Sequence, residues 1–387
     1  MTSANKAAIV GVYTTEQGRR LERTNLSLLI EAVKGALDDA GLTLTDVDGV
    51  VAPLNLDPRN PGRPDELFWA GQFGGRPLTY TDSAGAHLGA QKAAAAIEAG
   101  LANVVVLFEG KANLQIGPSG AMSSAPRADL WHRLSWGGYM TPWYALWARR
   151  YMHEFGATSE DLAQVGVIHR YHATLNPDSL MGKKGEITVD DVLASRMIAD
   201  PLHLLDCALD NDGGWAIVIA SAEVARNCKK KPISIIGGAL GMETDAYQTV
   251  DAPWIRADSA VRRSGDIAFA QAGVSREDID VANLYDCFSI TFLRDLEELG
   301  FCKPGEAPGF VREGNTRLGG SMPCNTDGGL LSNTHMGNAT GLMTVEVVRQ
   351  LRGECGARQV PGAKLGLSFN QGAAVHGYSG TLILAAD

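Results

Sequence analysis

The chain reads as an α/β protein in which one unit is used twice. Three observations carry this. AGLTLTDVD (40–48) and AGVSREDID (272–280), 232 residues apart, share Ala, Gly, an aliphatic residue and Asp-aliphatic-Asp at identical spacing. Each is preceded by a β-like run, KAAIVGVY (6–13) or PISIIGGAL (232–240), and then by a helix-like segment, SLLIEAVKGALDDAGL or SAVRRSGDIAFAQAGV. GLANVVVLFEG (100–110) matches GAKLGLSFNQG (362–372), and each follows a helix-like stretch, AAAAIEAG or VEVVRQLRG. Short all-apolar strands alternating with helices imply sheets covered on both faces.

The first copy spans about 1–110 plus a returning strand near 214–226, GWAIVIASAEVAR. A long insert, about 111–205, interrupts it, and the halves are expected to divide as 1–228 and 229–387. The insert carries SWGGYMTPWYALWARRYMHEF. Its aromatics suit core and dimer packing, with a substrate-pocket wall as the alternative.

At 387 residues, 45 % hydrophobic and 20 % charged, the chain can bury a large core. Its 45 glycines suit close helix-on-sheet packing and backbone-lined sites. A net charge of −10 argues against a nucleic-acid partner. It does not exclude a phosphorylated ligand, which needs only a local basic patch or a helix N-terminus. Lys183 and Lys184 in LMGKKGE are candidates for such a patch, or simply a solvated loop. None of the six cysteines forms a C-x-x-C pair and the histidines show no ligand spacing, so no metal site is expected. Reduced thiols and the absence of a basic-then-apolar leader point to the cytoplasm, and no apolar run approaches the roughly 18 residues of a membrane span.

The duplicated unit, the string D-V-D-G-V-V and the segment YDCFSITFLRDLEELGFC…GGSMPCNTDGGLLSNTHMGN resemble the thiolase superfamily over nearly the whole chain. The resemblance is to its sterol-carrier-protein-type thiolases and steroid side-chain aldolases, and it implies a duplicated five-layered α/β/α/β/α fold. It also implies a homodimer paired through an edge strand of the first half, for which VVVLFEG is the candidate. A small OB-fold partner protein with a zinc ribbon is a further implication.

The family's catalytic thiolases use two cysteines, and neither is here. The nucleophile position falls on Ser83, and the C-terminal motif reads LSFNQGAAVHG, with Ser368, Asn370 and Gly372. The histidine loop survives as THMGNATG, giving His335 at a helix start, where the dipole disfavours an imidazolium. Where relatives carry a His before D-x-F, this chain has Tyr285, with Asp286 beside it as structural support. Cys287 and Cys324 lie near the site by motif position and read as packing residues.

A serine hydroxyl is a poor nucleophile without an adjacent base, so acyl-enzyme chemistry is disfavoured. The aldolase branch needs none. Retro-aldol cleavage of a β-hydroxyacyl-CoA requires a base for the hydroxyl proton, donors for the thioester enolate and an acid for the α-carbon. The expected roles are Tyr285 on the hydroxyl proton and His335 on the enolate or its reprotonation. Tyr378 is a second candidate acid, Ser83 an oxyanion-facing group or a helix cap, and Asn370 with Gly372 an oxyanion hole. His376 reads as structural. No cofactor is expected beyond the coenzyme A of the substrate. The competing functions are an acyltransferase using Ser83 and a non-catalytic acyl-CoA- or lipid-binding protein.

Overall fold

Strand β1 (Ala8–Thr14) is buried on both faces, as its apolar run requires, and sits near the middle of a nine-stranded sheet. The computed structural model describes residues 7–53, 66–75, 77–82, 86–112, 141–243, 258–336, 339–371 and 378–386. The strands after β1 are β2 (Gly49–Val51), β3 (Tyr80–Asp82), β4 (Val104–Lys111), β5 (Met197–Ala199), β6 (Leu202–His203), β7 (Gly213–Ala220), β8 (Ile233–Met242), β9 (Val281–Asn283), β10 (Leu365–Gln371) and β11 (Tyr378–Ala386). β5 and β6 form a separate pair, and the large sheet runs β3-β2-β4-β7-β1-β8-β11-β10-β9.

The duplication is visible in that order. Outward from the β1–β8 seam, β1-β7-β4-β2 repeats as β8-β11-β10-β9. At each step the sense is the same: antiparallel, antiparallel, parallel. The seam itself is short, joining Ala8 to Ser234 and Ile9 to Ile233.

The repeated residues hold equivalent bonds. Helices Asn25–Ala40 and Ala260–Ala272 end on Gly41 (φ 73°) and Gly273 (φ 68°), left-handed caps that glycine adopts without strain. Asp46 and Asp278 then close reciprocal caps with Thr43 and Ser275. Two residues on, Asp48 accepts from the amides of Asn103 and Val104, and Asp280 from those of Lys364 and Leu365. Asp-aliphatic-Asp therefore recurs because the first carboxylate caps a turn and the second grips the start of β4 or β10. The helices lie equally close to their strands. A Cβ on Gly11 would stand 2.1 Å from the Ala36 carbonyl, and one on Gly237 2.3 Å from that of Ala268.

Helix Ala86–Glu98 packs on β4 and also on β8 and β11, while helix Thr340–Arg352 packs on β9 and β10 and also on β1 and β7. These two helices form the central layer. Helix Asn25–Ala40 covers the outer face of the first half, and helix Ala260–Ala272 that of the second. This is the five-layered arrangement.

VVVLFEG does not serve as an edge. It forms β4, which is bonded on both sides, to β2 and to β7. Its run of buried apolar residues is the mark of an interior strand. The outer edge of the first half is β3. Within the insert, three aromatics pack on helix Ser289–Glu298 and its N-cap: Tyr144 stacks on Phe288 at 4.4 Å, Arg294 lies 3.7 Å over the Trp147 ring, and buried Tyr151 donates to Glu297. No described helix is long and apolar enough to cross a membrane.

Candidate active site

Tyr285 leaves the end of β9, and its backbone is held from one side chain. The Asn325 carboxamide accepts from the Leu284 amide and donates to the Leu284 carbonyl, both at 2.8 Å. Asn325 itself sits at φ 49°, a conformation that Asn tolerates better than most residues. Its own carbonyl faces His172 Nδ1 at 3.2 Å, and the Leu318 amide donates to His172 Nε2 at 2.9 Å. Both ring nitrogens are thus used in the neutral form. Burial, then His169, pushes the His172 pKa down to about 3.

Asp286 points the other way. Its fully buried carboxylate accepts from the amides of Leu330 (2.8 Å) and Leu331 (3.2 Å) and from His169 Nδ1 (2.8 Å). A Cβ on Gly329 would lie 2.3 Å from Asp286 Oδ2, so only glycine lets the chain approach this closely. Those contacts anchor a π-helical turn, Gly329–Asn333, which delivers Thr334 and His335. One carboxylate thereby locks the Tyr285 segment to the His335 segment.

His335 stands five residues before helix Thr340–Arg352 rather than on its first turn. Its amide donates to Asn211 Oδ1 at 2.8 Å, and its Nδ1 lies 3.0 Å from the Leu209 carbonyl. A carbonyl only accepts, so Nδ1 carries the proton and Nε2 is left as an acceptor. That nitrogen is 3.4 Å from the Tyr285 hydroxyl. The imidazole pKa is lowered by burial first and by the Lys111 ammonium second. The Tyr285 phenol is pushed well above its usual value by burial, with Cys287 and Tyr378 adding to the shift. Tyr378, the first residue of β11, is therefore within electrostatic reach of Tyr285.

Asn370 is placed differently. Its buried amide donates to Met343 Sδ at 3.6 Å, and Ser368 on the same face of β10 meets Thr344 Oγ1 at 2.9 Å. Among the described residues no hydrogen bond joins Asn370 to Tyr285 or His335. Ser83, Gly372 and His376 lie outside the described residues. Lys183 lines a polar cleft of 540 Å³ with Arg349, Glu346 and Asp327.

All six thiols have raised pKa values, in each case chiefly through burial. Cys287, in the site motif, is pushed up to about 12. A thiolate nucleophile is thus disfavoured at every cysteine.

Several residues that hold the site carry no sequence signal. His169 lies 117 positions from the Asp286 it meets. Lys111 pairs with Asp210 at 2.7 Å, and Gln17 Oε1 accepts from Thr334 at 2.8 Å. Only the polar run DNDGG (210–214) hints that Asn211 does more than start a strand.

Residues 241–386 match the family described as thiolase C-terminal domain-like. A steroid side-chain-cleaving aldolase of Thermomonospora curvata is 38 % identical over 364 residues, covering 90 % of each chain. The chain belongs to the thiolase superfamily. Within it, a 17-hydroxy-3-oxo-4-pregnene-20-carboxyl-CoA lyase of Mycobacterium tuberculosis is 38 % identical over 90 % of this chain and 92 % of its own. These relatives place the chain in the superfamily's steroid side-chain aldolase branch. A solved Ltp2-ChsH2(DUF35) aldolase superimposes with a TM-score of 0.87 at 36 % identity, covering 99 % of this chain and 98 % of that one. An acetyl-CoA acetyltransferase of Methanothermobacter thermautotrophicus is 33 % identical over 96 % of this chain and 99 % of its own, so superfamily membership alone does not choose the reaction.

Proposed function

We propose that this protein is a CoA-thioester aldolase. It cleaves a β-hydroxyacyl-CoA, a steroid side-chain CoA ester, to a ketone or aldehyde and a shorter acyl-CoA. The observation that carries the reading is the Tyr285–His335 pair: a phenol facing an unprotonated imidazole nitrogen, in a site where the thiols are held protonated. That is equipment for moving a proton rather than for forming an acyl-enzyme.

The substrate hydroxyl gives its proton to Tyr285 Oη as the phenol proton passes to His335 Nε2. The alkoxide collapses to a carbonyl, the Cα–Cβ bond breaks, and its electron pair becomes the thioester enolate. Protonation at the α-carbon completes the cleavage. Tyr378, Ser83, Asn370 and Gly372 are assigned to substrate and oxyanion support. The chemistry calls for no cofactor beyond the substrate's coenzyme A, and Lys183 is assigned to its phosphates.

The active assembly in this reading is a cytoplasmic homodimer, joined through the β3 edge and accompanied by an OB-fold, zinc-ribbon partner. A two-component solved relative supports the partner. The test is product analysis after incubation with a panel of β-hydroxyacyl-CoA esters, with and without such a partner. A ketone or aldehyde plus shortened acyl-CoA is expected. Light scattering at micromolar concentration should give at least twice the monomer mass.

The 33 % identity to an acetyltransferase favours one alternative, acyl transfer through Ser83. An acyl adduct on Ser83, without retro-aldol products, would decide for it.

A further inference from the structure

The inner face of β4 carries a carboxyl that the scheme above leaves idle. Side chains alternate along a strand, so Val105, Leu107, Glu109 and Lys111 share a face. Leu107 Cδ1 lies 2.4 Å from where a Cβ would stand on Gly89, so this face meets helix Ala86–Glu98 of the central layer. The chain leaves that helix at Glu98 and begins β4 at Val104, so the two run in opposite directions. Glu109, about 6.6 Å beyond Leu107, is therefore level with the N-terminal end of the helix.

The ladder places Glu109 opposite Trp215 and Lys111 opposite Gly213. Opposed residues of an antiparallel pair point to one side. A Cβ on Gly341 would strike the Trp215 ring at 2.1 Å, and one on Gly213 would strike Gln17 Oε1, also at 2.1 Å. Gln17 Oε1 in turn holds Thr334, the neighbour of His335. Glu109 thus stands on the sheet face that carries the 334–341 segment. Beside it, Lys111 is close enough to act on the His335 imidazole.

Two described cations near this face have carboxylate partners of their own. Lys111 pairs with Asp210, and Lys92 with Asp82. Half-buried Glu109 has no hydrogen bond or ion pair with any described residue, and burial pushes its carboxyl up to about 8. A carboxylic acid on this face, unpaired among the described residues, carries its proton at neutral pH.

We propose that Glu109 is the acid that protonates the α-carbon of the thioester enolate. The inference rests on the aldolase reading. The Glu109 O–H bond breaks, a C–H bond forms at the α-carbon from the enolate electron pair, and the thioester carbonyl is restored. Glu109 is left as a carboxylate. It regains a proton from water as His335 releases the one taken from the substrate hydroxyl, so no net proton is consumed.

The step is testable in reverse and apart from cleavage. Propionyl-CoA in D₂O, followed by NMR, should exchange its α-hydrogens on the wild-type protein. Glu109→Gln should slow that exchange about 100-fold or more, and Glu109→Asp should restore part of it. Wild-type exchange should rise as pH passes through about 8, where the carboxylate forms. Exchange by Glu109→Gln at the wild-type rate, or wild-type exchange flat from pH 7 to 9, would overturn the proposal without touching the aldolase reading. So would a wild type that cleaves β-hydroxyacyl-CoA yet exchanges nothing. If exchange behaves as expected while no β-hydroxyacyl-CoA is cleaved, the aldolase reading fails instead.

Discussion

His335 Nδ1 lies 3.0 Å from the Leu209 carbonyl oxygen, and this contact decides which nitrogen faces Tyr285. With the proton held on Nδ1, Nε2 is the acceptor. Tyr285→Phe removes the oxygen that meets it and keeps the ring. Cleavage of a confirmed substrate should fall about 10²–10⁴-fold with little change in melting temperature. Wild-type turnover by the variant would move the proton role elsewhere, with Tyr378 next.

The same geometry sets a pH dependence. The His335 pKa is lowered below 6.5, so the imidazole is neutral and able to accept at pH 7. As pH falls below that range the ring protonates and Nε2 stops accepting. kcat/KM should therefore show an acid limb below pH 6.5. His335→Gln should lower activity throughout and abolish that limb.

Asp286 offers a stability test. Its carboxylate serves two backbone amides and His169, all buried. Asp286→Ala leaves three donors without an acceptor. Breaking a buried pair this way costs about 3–5 kcal/mol. Urea unfolding should show a loss of that size, and activity should fall with it because the turn that carries His335 is released.

Cleavage without an acyl-enzyme is a separate prediction. Every cysteine is raised above its ordinary pKa, and positions 83 and 368 are serines. Intact mass spectrometry of the protein mixed with its acyl-CoA substrate should show unmodified chain. Iodoacetamide at pH 7.5 should label the folded protein far more slowly than the unfolded one.

His172 predicts acid sensitivity. Its folded pKa of about 3 lies below the usual 6.5, so the unfolded chain takes up the proton first. The stability it contributes is present above pH 6.5 and is lost as pH falls toward 3. Between pH 6.5 and 5 the loss is about 2 kcal/mol. Denaturant titrations at those two values should show it, and His172→Asn should reduce the difference.

Periodicity and repeat made the duplicated α/β order legible, because each copy uses the same local devices: a glycine-capped helix, a capped turn, and an Asp that grips the next strand. The same locality explains one error. VVVLFEG was legible as a strand, but its pairing partners come from residues 49–51 and 213–220, so edge or interior could not be read from the run itself.

What the sequence determined by itself is the residue chemistry: serine where the family places cysteine, Tyr285 before Asp-Cys-Phe, and one histidine in a glycine-lined loop. What only the tertiary structure decided is the state of those groups. The tautomer of His335 depends on Leu209, and its lowered pKa on burial and on Lys111. The seating of Asp286 depends on His169, and the direction of Glu109 on its ladder with β7. Protonation and tautomer are set by solvent exclusion and by neighbours within a few ångströms. Here those neighbours lie from about 40 to more than 200 residues away along the chain, where no local pattern records them.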